Sequence, residues 1–178
     1  IRGRLQAYDA TTGKLRWHYQ VIRHDIWEAD IAISPVLYNA PQADGRSRKA
    51  IAAMRADGYL FMLDRETGKP LMRVEDRPVT QDSLQKTAST QPFPVGADSA
   101  LPACDAWKKE TLPRGFDLRC DFYTPASVEK ANLLTPTFGM RVAPMAYSPD
   151  TGYFYATGNA SLGWLRRDEN PWFFSNTF

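Results

Sequence analysis

The chain has 178 residues, 43% of them hydrophobic and 24% charged, with a formal net charge of +2. That length supports one domain with a real core. The near-neutral balance, with no basic run, excludes a phosphate-tracking stripe for nucleic acid, and no apolar run approaches the roughly 18 residues that a membrane-spanning helix needs.

The chain begins at Ile1 rather than at a methionine and closes on Trp172-Phe173-Phe174-Ser175-Asn176-Thr177-Phe178, an aromatic stretch better suited to burial than to a tail. Both ends read as cut, and the expectation is a processed product or a piece of something larger.

From the N-terminus, Arg4–Asp9 and Lys14–Gln20 flank Ala10-Thr11-Thr12-Gly13. Alternation with aromatic and β-branched residues on both sides predicts a β-hairpin, with Gly13 supplying the positive φ of its turn. His24-Asp25-Ile26-Trp27-Glu28-Ala29-Asp30 follows, between segments read as strands, Leu15–Val21 and Ile31–Tyr38. It gathers Asp25, Glu28 and Asp30 with a histidine and a tryptophan. Unpaired charge near a core is costly unless a cation, a donor or a metal answers it. Two readings stand: an exposed acidic turn plugged by Trp27, or a site.

Pro41–Arg46 is an ordinary turn. Lys49–Arg55 and Tyr59–Leu63 form a second hairpin around Ala56-Asp57-Gly58. The first phrase then returns: Asp64, Thr67, Gly68 and Lys69 match Asp9, Thr12, Gly13 and Lys14, leading into Pro70–Val74. A weaker third copy, Ala146–Thr157, keeps Thr151 and Gly152. Repeated strand–turn–strand units point to a radial or solenoid architecture.

The irregular second interval implies an insertion, Glu75–Pro136, expected to cross the surface as a long loop with a functional role. Cys104 and Cys120, the only cysteines, lie in it. They make a poor zinc site and leave either a disulfide or two free thiols. With no helical stripe anywhere, the fold class is all-β. A complete propeller has about four to eight blades, so the expectation for residues 1–178 is a partial propeller domain, completed by further sequence or another chain.

These motifs together carry a resemblance. Ala7–Gln20, His24-Asp25-Ile26-Trp27, Leu63–Leu71, Glu75–Val79 and Ser89–Pro94 occur in the order seen in the glucose and alcohol dehydrogenase group of quinoproteins. The chain resembles that family, which uses pyrroloquinoline quinone (PQQ), with most weight on residues 4–95. The resemblance implies an eight-bladed propeller of which this chain supplies about three blades, and Trp17 as part of a motif that packs between blades.

It also implies PQQ held with Ca2+ or a lanthanide that polarises the quinone as a Lewis acid. An aspartate directly after the tryptophan takes the substrate hydroxyl proton while hydride moves to the quinone. Here that position is Glu28, a base or metal ligand, with Asp30 as an accessory metal ligand. Arg55 falls where a basic residue bonds the quinone oxygens. Arg141 stands where the family has an asparagine; it either adds charge beside the cofactor or marks a pocket that no longer holds it. Trp164 is a candidate channel lining, or a core or docking tryptophan. His18 and His24 are expected to hydrogen-bond within the sheet.

The family's other metal ligands, a glutamate and an asparagine, and the tryptophan beneath the quinone come from earlier blades. No Cys-x-x-Cys-His haem motif occurs. The implied whole is a periplasmic enzyme acting on an alcohol or sugar, with cytochrome c or ubiquinone as electron acceptor and the rest of the propeller as partner. The alternatives are a non-catalytic propeller scaffold that has lost the cofactor, and a carbohydrate-binding surface on the long insertion.

Overall fold

The computed structural model describes residues 3–81, 86–100, 112, 114–123, 125, 133–137, 139–141, 143–159 and 161–165, and among them all regular structure is β. β1 (Arg4–Tyr8) pairs antiparallel with β2 (Leu15–Gln20). β3 (Val36–Pro41), β4 (Ser47–Met54) and β5 (Leu60–Asp64) form an antiparallel meander. β6 (Val74–Pro78) and β7 (Thr90–Pro94) form a hairpin. β8 (Asp117–Leu118), β9 (Leu133–Thr137) and β12 (Ser161–Leu165) make a sheet of order β12-β9-β8, while β10 (Ala146–Ser148) and β11 (Tyr153–Tyr155) pair separately.

The repeated turns are built alike. Asp9 Oδ1 accepts from the backbone N–H groups of Thr11 and Thr12 and from Thr12 Oγ1, at 2.9–3.0 Å. Asp64 Oδ1 does the same with Glu66 and Thr67. Both glycines donate back to the aspartate carbonyl, Gly13 at 2.8 Å and Gly68 at 2.9 Å. Aspartate thus caps the turn, and glycine supplies the left-handed residue that closes it. These bonds hold both carboxyls below the ordinary range, at Asp9 through the Thr12 backbone first and at Asp64 against an opposing push from burial.

One repeat is keyed to the next. Trp17 Nε1 donates to the Arg65 carbonyl at 3.0 Å, and its ring lies on Gly68, where an added Cβ would sit 2.6 Å from Cε3. The indole of the first unit therefore plugs the turn of the second.

Three expectations differ. Ile31–Tyr38 is not one strand: β3 starts at Val36, because Pro35 has no N–H to give a ladder and restrains Ser34. Pro70–Val74 does not complete a hairpin with β5. It makes an isolated bridge, Leu63 with Pro70, before Val74 leaves for β6. The stretch 75–136, expected to cross the surface as a long loop with a functional role, contains β7 and nearly all of β6 and gives the core Phe93 and Tyr123. Its prolines looked like loop composition, but a two-stranded sheet has only edge strands, where proline is tolerated.

Among the described residues the core has three parts, one of them a small cluster of Ile33, Met54, Met140 and Met145. β4 carries Ala50, Ala52, Ala53 and other buried residues; with Tyr38 and Ala40 it packs against Tyr147 and Phe154 of β10–β11. The third part gathers Val21, Ile22, Ala29, Phe61, Phe93 and Tyr123, with Trp27 and Tyr59 against them. Cys120 is disulfide-bonded; Cys104, the other cysteine of the sequence, lies outside the described residues.

Candidate functional site

The acidic stretch is a tight turn organised by its first acid. Asp25 Oδ1 accepts from Trp27 N at 3.0 Å and Ala29 N at 3.1 Å, an aspartate turn that satisfies its own backbone. Both flanking non-glycine residues take left-handed backbone, His24 at φ 45° and Glu28 at φ 54°. That conformation costs roughly 1–2 kcal/mol per residue, and such strain collects at functional sites. Trp27 and Ala29 anchor inward; Trp27 meets Tyr123 edge to face at 5.1 Å. Glu28, between them, turns its side chain outward, 59% exposed.

Backbone hydrogen bonds bring three distant segments to this turn. Ala56 N donates to the Asp30 carbonyl at 3.1 Å, and Met140 N donates to the Ala56 carbonyl at 3.2 Å. Residues 28–30, 55–57 and 140–141 therefore meet. Arg141 reaches across: Nη2 lies 2.9 Å from Asp30 Oδ1, and Nη1 lies 3.6 Å from Glu28 Oε2. Nη2 also donates to the Glu28 carbonyl.

Arg55 faces elsewhere. Its guanidinium is fully buried and forms a two-pronged pair with Asp57, Nε to Oδ1 and Nη2 to Oδ2, each at 2.8 Å. Nη1 donates to the carbonyls of Val21 and Pro92, both at 2.7 Å. Four of the roughly five guanidinium N–H groups are engaged. Tyr59, Phe61, Phe93 and Tyr123 surround the cation, with ring centroids 4.7–5.7 Å from Cζ. Burial opposes the charge, but Asp57 overrides it, and the net shift holds Arg55 more firmly protonated than usual. Tyr123 Oη donates to Asp57 Oδ2 at 2.7 Å. Burial first, and then the Asp57 charge, push the phenol far up, so it remains a donor.

Arg55, placed by the resemblance where a basic residue bonds the quinone oxygens, sits instead in the aromatic cluster beneath, and the guanidinium facing Glu28 and Asp30 is that of Arg141. Glu28, Asp30, Arg55 and Arg141 are neighbours through backbone contacts. Trp164 lies on β12, opposite Leu134 of β9, and its side chain is outside the described residues. His18 and His24 are exposed. Asp57 and Tyr123 were missed as members of the site. The two-residue spacing of Arg55 and Asp57 was a usable signal for the first; nothing in the sequence placed Tyr123.

Carboxylate oxygens suit a hard cation, so Glu28 and Asp30 are the right kind of donor for a metal. Among the described residues, however, no group of three or more His, Cys, Asp or Glu assembles, and both acids are engaged by Arg141. They fit a cation only where Arg141 lets go.

Residues 5–170 match the family described as PQQ: glucose/ethanol/alcohol dehydrogenase, beta-propeller domain. The glycerol dehydrogenase large subunit of Gluconobacter thailandicus is 31% identical over 170 residues, covering 86% of this chain and 23% of that protein. The quinoprotein glucose dehydrogenase of Gluconobacter oxydans (strain 621H) is 41% identical over 89 residues, covering 49% of this chain and 11% of that protein. The crystal structure of quinohemoprotein alcohol dehydrogenase from Comamonas testosteroni shares the fold, with a TM-score of 0.51 at 22% identity, over 92% of this chain and 20% of that one. The chain thus spans less than a quarter of the length of these curated relatives.

Proposed function

The chain belongs to the PQQ-dependent glucose/ethanol/alcohol dehydrogenase β-propeller family, and on that premise we propose that it forms part of the active site of a quinoprotein dehydrogenase oxidising an alcohol or sugar hydroxyl. The observation that carries this reading is the meeting of residues 28–30, 55–57 and 140–141 around an outward-facing carboxylate on strained backbone.

Glu28 accepts the proton of the substrate hydroxyl: its side chain is accessible and its backbone is held by Asp25. Arg55, buried and spent on Asp57 and the carbonyls of Val21 and Pro92, is a positioning residue: it fixes the 55–57 turn on which residues 28–30 rest. Trp27 and Ala29 close the inner side of the turn against water. PQQ, when bound, supplies the two-electron acceptor for hydride leaving the substrate carbon. Asp30 would be this chain's oxygen ligand for Ca2+ or a lanthanide, which would supply Lewis acidity, and Glu28 would join it only in place of its role as base. The Cys120 disulfide suits an oxidising compartment such as the periplasm. Cytochrome c or ubiquinone is the proposed electron acceptor, and the rest of the propeller completes the site.

The test uses the full-length protein supplied with PQQ and Ca2+ or a light lanthanide. A bound-quinone absorbance, with turnover of alcohols or sugars on an artificial acceptor, is expected. Glu28→Gln should keep the absorbance and lose turnover by about a hundredfold or more; undiminished turnover removes Glu28 from the reaction. The engagement of both acids by Arg141 favours a second reading, a propeller scaffold without the cofactor, and a flat spectrum in the folded protein would establish it.

A further inference from the structure

Arg141 is the residue whose position the family reading leaves without a task. The backbone just before it is pinned twice, by Met140 N on the Ala56 carbonyl and by Asn159 N on the Gly139 carbonyl at 2.7 Å. Met140 is buried beside it, and Gly158 approaches so closely that a Cβ there would meet Met140 Sδ at 2.3 Å. From this fixed root the guanidinium covers the Asp30 carboxylate, the Glu28 carboxylate and the Glu28 carbonyl. Glu28 and Arg141 are also the two positions at which the chain departs from the pattern it resembles. They are in contact with each other.

We propose that Arg141 is a tethered counter-cation for Glu28 and Asp30, and that a free metal cation takes these acids only by displacing it. This rests on the function proposed above. A guanidinium is permanently charged and matches carboxylate and carbonyl oxygens with planar donors. Held on the same chain, it competes at a fixed effective concentration. The metal's apparent affinity is therefore its intrinsic affinity multiplied by the fraction of molecules in which Arg141 has swung away. Arg141 thereby sets the cation concentration at which the site loads. With no metal present, it offsets one of the two carboxylate charges of Glu28 and Asp30 and bonds the Glu28 carbonyl of the strained turn.

The test titrates the full-length protein with terbium(III) alone and reads tryptophan-sensitised luminescence, with Ca2+ as competitor. The signal of this site is the part abolished by Glu28→Gln combined with Asp30→Asn. Arg141→Asn and Arg141→Gln are each expected to bind terbium about ten- to a hundredfold more tightly than the wild type, whereas Arg141→Lys, which keeps the charge, stays within about threefold of it. Equal affinities in all four proteins, or no site-specific signal in any of them, overturns the proposal. A parallel PQQ absorbance titration separates the two failures: quinone binding with equal metal affinities sinks only the role of Arg141, whereas a flat spectrum sinks the dehydrogenase reading as well.

Discussion

Tyr123 donates its phenolic hydrogen to Asp57 Oδ2 across 2.7 Å, joining a residue from the long middle stretch to the turn that carries Arg55. Asp57 spends both carboxylate oxygens on Arg55 and one of them again on Tyr123. The buried cation is thus held by a carboxylate that is itself held.

Removing the phenolic hydroxyl with Tyr123→Phe keeps the ring against Trp27 and Phe93 but loses this bond. It should destabilise the protein by about 1–3 kcal/mol. Asp57→Ala leaves the guanidinium of Arg55 buried without its counter-charge, and should cost about 3–5 kcal/mol. Chemical denaturation of both variants gives the comparison. A loss at Asp57 no larger than that at Tyr123 would mean that the two carbonyls and the aromatic rings suffice to hold the charge.

Gly13 and Gly68 occupy the same place in matched turns, at φ 69° and φ 72°. Alanine at either meets the left-handed penalty, roughly 1–2 kcal/mol. Only at Gly68 does the new methyl strike the Trp17 ring; Gly13 has open space. Gly68→Ala should therefore lose at least about 1 kcal/mol more than Gly13→Ala. It should also shift Trp17 fluorescence, while Gly13→Ala leaves the emission unchanged.

Glu28 holds left-handed backbone at φ 54°, a conformation open to glycine without strain. Glu28→Gly relieves that conformation, and the ion pair it gives up is exposed and worth about 0–1 kcal/mol. Stability should rise by up to about 1 kcal/mol while turnover disappears. A melting temperature that falls in this variant would show that the pairing with Arg141 outweighs the backbone strain.

Tyr38 lies buried among Ala50, Ala52, Tyr147 and Phe154. Burial first, and then Tyr147, push its phenol from 10.0 to about 12. The folded state thus holds the proton more tightly than the unfolded chain. Its contribution is complete below pH 10 and is lost as pH rises towards about 12, where the buried phenol must ionise. Denaturation followed across this window should show a decline that Tyr38→Phe reduces; an identical decline in the variant would assign the alkaline loss to other groups.

The sequence alone determined the local pieces. Asp-x-x-Thr-Gly encodes a turn through bonds that reach no further than five residues, so the repeats and the all-β class could be read from spacing, while the family likeness rested on resemblance across several motifs. The Asp25 turn is equally local, which is why the acidic stretch stood out. Only the tertiary structure decided what those pieces face. Arg55 and Arg141 carry the same charge, and no local pattern separates the one enclosed by Tyr59, Phe61, Phe93 and Tyr123 from the one laid on Glu28 and Asp30. Proline in β6–β7 read as loop until pairing made both strands edges. Tyr123 entered the site through a contact 66 residues distant in sequence. A guanidinium's partners depend on which buried carbonyls, rings and carboxylates converge upon it, and long-range packing decides that convergence.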